Sequence, residues 1–176
     1  MSEEQLARTV AYYLERTSHG STLSGVVSAW VLARYEPEEA WWFLQRALES
    51  DVADVQGGTT AEGIHLGAMA GTLDIVQRCY TGLEARDGVL WLNPRLPTEL
   101  GFIDLQLLYR QQWLSLRLTD REVRVTAPAC RAGPIRIGVA GRLVEVHSGE
   151  THVVALAGSE RDSGGSAETL VTREPS

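Results

Sequence analysis

Apolar positions in the first eighty or so residues recur every three or four, and from "RDGVLWLNP" onward they recur every second residue. The first period is that of an amphipathic helix and the second that of a half-buried strand. Leu6, Val10, Tyr13 and Leu14 mark one helical face, and Leu23, Val26, Val27, Trp30 and Val31 a second. A third helix is expected from Pro37, which costs nothing at a first helical position, with Trp41, Leu44, Ala47 and Leu48 on its face. A fourth is expected to open at Thr59 and Glu62, which have capping-box spacing, and to run to about Gly82. The runs "FIDLQLLYR", "WLSLRLT", "EVRVTA", "PIRIGVA", "LVEVHSG" and "THVVALA" alternate between Asp, Gly, Pro and Ser signals, as in an antiparallel sandwich. The last stretch, "GSERDSGGSAETLVTREPS", is polar and rich in glycine and serine, and is expected to be disordered.

Length and composition place the chain among globular proteins: 176 residues, 44% hydrophobic, suit one domain or two small ones. Net charge is −7 and all 16 basic residues are arginine, so there is no lysine-rich patch for a polyanion, and nucleic acid is not an expected partner. Cys79 and Cys130 do not indicate a disulfide framework, and a reducing cytoplasm fits them. The opening "MSEEQLARTVAYYLERT" is acidic and amphipathic where a secretory signal is basic and then apolar. No apolar run is long enough to span a bilayer, so the chain is expected to be soluble, cytoplasmic and away from membranes.

Candidate chemistry lies at two helix starts. A helix amino end offers unpaired amide donors and a partial positive charge, and glycine lets an anion approach that backbone. "SHGSTLSG" brings His19, Gly20, Ser21, Thr22 and Ser24 to the second helix, and "QGGTTAEGIH" brings Gly57, Gly58, Thr59 and Thr60 to the fourth. His65 is expected about one and a half turns into that helix, within reach of an oxyanion held at its opening. Ordinary N-capping accounts for either stretch taken singly; the two together, each with a histidine, leave capping and a phosphate clamp evenly matched.

Other conspicuous residues read as structural. Gly63, Gly67 and Gly71 make a stripe almost without side chains on the fourth helix; interior glycines cost about 1 kcal/mol each relative to alanine, so close approach of another helix is expected. Trp41 follows the buried periodicity and Trp42 points elsewhere, which makes Trp42 the one tryptophan of "AWWFLQRAL" with any prospect of touching a ligand. Glu62 is read as a capping partner rather than a site carboxylate. His19, His65, His147 and His152 form no metal-ligand set, and the last two are expected to face solvent on the strands.

The ordered stretches "YYLERTSHGSTLS", "YEPEEAWWFLQRALESDVADVQGGTTAEGIHLGAMAGTLDIVQRCYTGL" and "LWLNPRLP" resemble the C-terminal portion of glycoside hydrolase family 65, the maltose, trehalose and kojibiose phosphorylases with some hydrolases, from near residue 1 to about residue 156. The resemblance implies an α+β chain: the last helices of an (α/α)6 catalytic barrel over residues 1–86, a small antiparallel β-sandwich over 87–157, and the tail 158–176. It implies phosphorolysis of an α-glucosyl disaccharide with inversion, giving β-glucose 1-phosphate, with inorganic phosphate as co-substrate and no other cofactor. Gly20, Ser21, Thr22 and His65 match the family's phosphate-binding elements.

The family's general acid and most of its sugar-binding residues lie upstream of this stretch, so no residue here is assigned as the catalytic acid, and the chain alone is expected to be inactive. Two other readings remain. One is a non-catalytic module that docks on a partner, either a second copy or the missing part of the barrel. The other is a hydrolase of the same family, which would need a base carboxylate where a phosphorylase offers donors.

Overall fold

The computed structural model describes residues 3–18, 20–54, 57–58, 60–156 and 170–173, and for Glu3, Leu6, Thr60 and residues 170–173 the main chain only. The chain divides into two compact units, Met1–Tyr80 and Thr81–Ser176. The first is helical and the second is built from two sheets, so the α+β order of helices followed by strands is as expected.

The helical unit holds α1 (Glu3–Leu14), α2 (Thr22–Leu32), α3 (Pro37–Glu49) and α4 (Leu66–Asp74), and α4 continues as a π-helical segment, Ile75–Tyr80. Pro37 occupies the first turn of α3 with Glu38 and Glu39, and Arg46 lies in its last turn, so the charges complement the helix dipole at both ends. Along α2 the buried side chains are Thr22, Val26, Ser28, Ala29 and Leu32, while Leu23, Val27 and Trp30 of the expected apolar face are exposed. In α3, Phe43, Leu44 and Ala47 are buried and Leu48 is exposed; Trp42 is also exposed, set edge-on to Phe43 with the Arg46 guanidinium over its ring. Tyr13 of α1 is exposed.

Small residues bring the helices together. Ala29, Ala33, Ala40 and Ala68 are fully buried, and a Cβ on Gly25 would stand 3.7 Å from the Phe43 carbonyl oxygen. The expected glycine stripe serves this purpose at two of its three positions. A Cβ on Gly67 would meet Leu23 Cδ2 at 3.3 Å, and one on Gly71 would overlap Val26 Cγ1. Gly63 stands outside the helix, with φ +97.

The fourth helix starts later than the capping-box spacing predicts. Thr60–Glu62 forms a single 3-10 turn, Gly63 then adopts a left-handed conformation that no helix can contain, and α4 begins at Leu66 with His65 as its N-cap residue. His65 is therefore at the mouth of the helix rather than one and a half turns inside it. Thr59 and His19 lie outside the described residues. At the other end, Gly82 takes φ +61 just past the π-helical segment, and a Cβ there would overlap the Asn93 main chain.

Among the described residues the second unit contains nine strands: β1 (Glu84–Arg86), β2 (Val89–Leu92), β3 (Phe102–Tyr109), β4 (Gln112–Thr119), β5 (Glu122–Thr126), β6 (Ile135–Val139), β7 (Arg142–Val146), β8 (Glu150–Ala155) and β9 (Leu170–Arg173). One sheet runs β1-β2-β6-β7 and the other β3-β4-β5-β8-β9. The sheet begins earlier than the change of period suggests, because Glu84–Arg86 folds back on β2 through the Asp87-Gly88 turn, both residues at positive φ. Each sheet turns a row of apolar side chains inward, including Leu90, Leu92, Ile135, Ile137 and Val139 from one and Leu114, Leu116, Leu118, Val123 and Val125 from the other.

Three findings depart from the antiparallel sandwich with a disordered tail. β2 and β6 pair in parallel, Val89 opposite Arg136 and Leu92 opposite Val139, which the long excursion through β3, β4 and β5 makes possible. Leu170–Arg173, inside the stretch expected to be disordered, is strand β9, antiparallel to β8, whose outer main-chain groups would otherwise be an open edge; the rest of the expected tail lies outside the described residues. His152, expected in solvent, is buried on the inner side of β8, where its Nε2 lies 3.0 Å from the equally buried Glu150 carboxylate. Inward alternation of β8 places Glu150, His152 and Val154 on one face, where Glu150 partners the His152 Nε2 while the buried Nδ1 has no hydrogen-bond partner. His147 is exposed, as expected.

The packing of α4 against α2 can be tested by single methyl additions. Gly71→Ala gains helix propensity but forces the stiff, buried Val26 aside, and is expected to destabilise the chain by about 1–2 kcal/mol in urea unfolding. Gly67→Ala, which meets only the flexible end of Leu23, is expected to stay within about 0.5 kcal/mol of wild type.

Candidate functional site

The two contacts between α2 and α4 run in the same direction along both helices, Leu23 against Gly67 and then Val26 against Gly71. Their amino ends are consequently side by side. Ser21 is the N-cap of α2, with its Oγ accepting the Leu23 amide at 3.3 Å, and Ser24 Oγ donates back to the Ser21 carbonyl at 2.7 Å. The Thr22 side chain is buried, so of the residues expected to bind anion here it is the Gly20 backbone and the exposed Ser21 hydroxyl that border solvent. Nothing lies within 4 Å of a Cβ placed on Gly20, so the fold itself makes no demand for glycine at that position.

At the start of α4, the main-chain amides of the first turn point toward the helix opening, and His65 stands there with its ring. The loop leading to it is held by two aspartates. Asp54 accepts the Gly58 amide at 2.6 Å, and Gly57 and Gly58 both have positive φ, which explains the glycine pair. Asp51 accepts the His65 amide at 3.2 and 3.1 Å through its two oxygens, and its Oδ1 lies 2.6 Å from His65 Nδ1. Glu62 Oε2 is 3.7 Å from the other ring nitrogen, Nε2, at the end of a largely exposed side chain.

The hydrogen bond that His65 donates to Asp51 is the main influence on its pKa and raises it above the ordinary 6.5, opposed by desolvation and reinforced by the charges of Asp51 and Glu62. The imidazolium is thereby favoured, a form in which both ring nitrogens donate.

Among the expected residues, the geometry thus brings Ser21 and Gly20 to one helix opening and His65 to the neighbouring one. It does not make Glu62 a capping-box partner, since α4 starts at Leu66 and Glu62 belongs to the preceding turn. Asp51 carries no signal of its own in the sequence: it sits 14 residues from His65, just beyond the end of α3, and only the folded loop joins the two. Cys79 is buried beside the Trp30 carbonyl, and desolvation pushes its thiol up to about 11, which disfavours the nucleophilic thiolate.

Because the raised His65 pKa reflects a favourable pairing of the cation, that stabilisation is complete below pH 6.5 and fades as pH rises through the elevated value. The stability lost in Asp51→Asn should therefore be largest below pH 6.5 and shrink at higher pH, which urea unfolding of both chains across a pH series would measure.

Comparison with known proteins places this geometry in a family. Residues 1–74 match the glycosyl hydrolase family 65 central catalytic domain, and residues 83–146 match the glycosyl hydrolase family 65 C-terminal domain. An uncharacterized glycosyl hydrolase of Mycobacterium tuberculosis is 50% identical over 147 residues, covering 84% of this chain and 11% of that protein. The trehalose 6-phosphate phosphorylase of Lactococcus lactis is 38% identical over 119 residues, covering 67% of this chain and 16% of the relative. Among solved structures, a protein from the human microbiome provisionally named a kojibiose phosphorylase superposes with a TM-score of 0.73 at 22% identity, over 89% of this chain and 20% of its own, and so shares the fold. The chain spans less than a fifth of the length of these curated relatives, yet both of its units carry the signature: it belongs to glycosyl hydrolase family 65.

Proposed function

We propose that this chain is the C-terminal part of an inverting disaccharide phosphorylase and that it carries the phosphate-binding elements Gly20, Ser21, Thr22 and His65. The single observation behind this reading is the side-by-side placement of the α2 and α4 amino ends, which bear free amides, the Ser21 hydroxyl and the His65 imidazole with its raised pKa. In inverting phosphorolysis the nucleophile attacks the anomeric carbon from the face opposite the acid. Phosphate brings its own nucleophilic oxygen, so the protein must hold an anion rather than supply a general base, and helix ends with a cationic histidine do that.

Thr22 takes part through its main-chain amide, since its side chain is buried. The general acid and the sugar contacts then belong to the rest of the enzyme, with an α-glucosyl disaccharide as substrate and β-glucose 1-phosphate as product. A hydrolase of the same family would need a carboxylate positioned on water; Asp51 is engaged by His65, and Glu62 leans toward the same ring, which favours phosphate. Free cysteines go with a cytoplasmic setting.

Titration of the chain with inorganic phosphate, followed by the His65 ring resonances, is expected to shift Nε2 at millimolar phosphate, with no sugar 1-phosphate formed from maltose, trehalose or kojibiose by the chain alone. An unresponsive His65 ring would remove the phosphate assignment, and turnover by the isolated chain would show that its acid had been overlooked.

A second reading concerns the same chain as a docking module. Leu23, Val27, Ile64, Leu66 and Leu73 are exposed on or beside α2 and α4, an apolar surface suited to the remaining helices of a barrel. Light scattering is expected to find self-association of the isolated chain, and a monodisperse monomer at high concentration would argue against a face that needs covering.

A further inference from the structure

The geometry points to Asp51 as the positioning residue of the phosphate clamp: it locks the His65 ring by Nδ1 so that Nε2 is the atom presented to the anion. This inference rests on the phosphate reading above and adds to it a residue that does not touch the ligand.

One carboxylate holds His65 in two ways. Its oxygens accept the main-chain amide at 3.2 and 3.1 Å, fixing where the residue sits, and Oδ1 accepts a hydrogen bond from Nδ1–H at 2.6 Å, fixing how the ring is turned. The side chain of Asp51 is only 10% exposed, so water competes little for it. Rotation of the ring would break a short bond to a charged acceptor, the stronger kind of hydrogen bond.

The consequence for the second nitrogen follows from the chemistry of imidazole. With the Nδ1 proton committed to Asp51, a neutral ring exposes a lone pair on Nε2, which repels a phosphate oxygen; a protonated ring exposes an N–H, which binds it. Asp51 therefore both orients the ring and favours the form that can bind. The groups acting on the ring are Asp51, from the end of α3, and Glu62, from the turn before α4, while α2 has no titratable side chain at all. Glu62 is 71% exposed and 3.7 Å from Nε2, a contact that an incoming anion can displace.

The location of Asp51 agrees with this role. A carboxylate just beyond a helix carboxyl end is disfavoured by the dipole of α3, and the same group is favoured at the amino end of α4. The side chain is turned to the second helix, which couples the α3–α4 loop to the opening where the anion would rest.

The test uses the full 176-residue chain and inorganic phosphate, with Kd measured by the His65 ring signals at about pH 5.5 and about pH 7.5. Asp51→Asn is expected to weaken phosphate binding several-fold more at the higher pH than at the lower one, where His65 protonates without help. Equal weakening at both pH values would mean a merely structural role and overturn the inference, as would unchanged binding at both.

A measurement on the wild-type chain stands beside the variant in case Asp51→Asn does not fold. In ring 15N spectra, Nδ1 should stay protonated across the titration while Nε2 moves with phosphate; movement of Nδ1 instead would overturn the assignment. If the wild type fails to bind phosphate at either pH, it is the phosphate reading that falls, which separates the two failures.

Discussion

Everything at the candidate site depends on how near α2 and α4 can come. Two helices crossing at Gly67 and Gly71 can seat Leu23 and Val26 directly on the partner backbone, where larger residues would hold the axes apart. That approach has a direction as well as a distance. Because the successive contacts advance together along both helices, the two amino ends finish on the same side. The cost is the conformational freedom of glycine within a helix, and the fully buried Ala29 and Ala68 show the same preference for small side chains.

Around that opening, acidic side chains do much of the work of arranging positive character. Asp54 straps Gly58, and Asp51 straps the histidine, so the approach to α4 is tied at two points. Under the phosphate reading, an anion held there would meet amides, the Ser21 hydroxyl and the His65 imidazole, with Asp51 on the far side of the ring. Electrostatic preorganisation of this kind draws on fixed dipoles rather than on net charge, which suits a chain whose overall charge is −7.

Much of this was legible in the sequence, for identifiable reasons. Pro37 with Glu38 and Glu39 marks the start of α3 by local chemistry alone, and the alternating runs of β4, β5 and β8 reveal strands because one face of each is buried. The glycines of α4 signalled a close neighbour by their cost. What escaped depends on contacts far apart in the chain. The first turn expected from Thr59 and Glu62 ends in a 3-10 turn because Gly63 takes a left-handed conformation, and the Asp51 clamp then lets His65 cap α4. The burial of His152 depends on its neighbour Glu150 turning inward with it, which polarity alone would argue against, and the parallel match of β2 with β6 leaves no local trace. Nor did periodicity distinguish apolar positions that the unit buries from those that it leaves exposed, as Val26 and Val27 illustrate.

The pairing of β9 with β8 bears on how such a chain behaves in company. A sheet is only as solitary as its last strand, and β8 is six residues of alternating, half-apolar character with no proline. By lending it four residues from beyond a glycine- and serine-rich stretch, the polypeptide caps its own margin with a short strip that ends in arginine. Were the chain cut after residue 156, the bare flank of β8 would be offered to any extended segment nearby, and the protein would exchange a self-contained border for a sticky one.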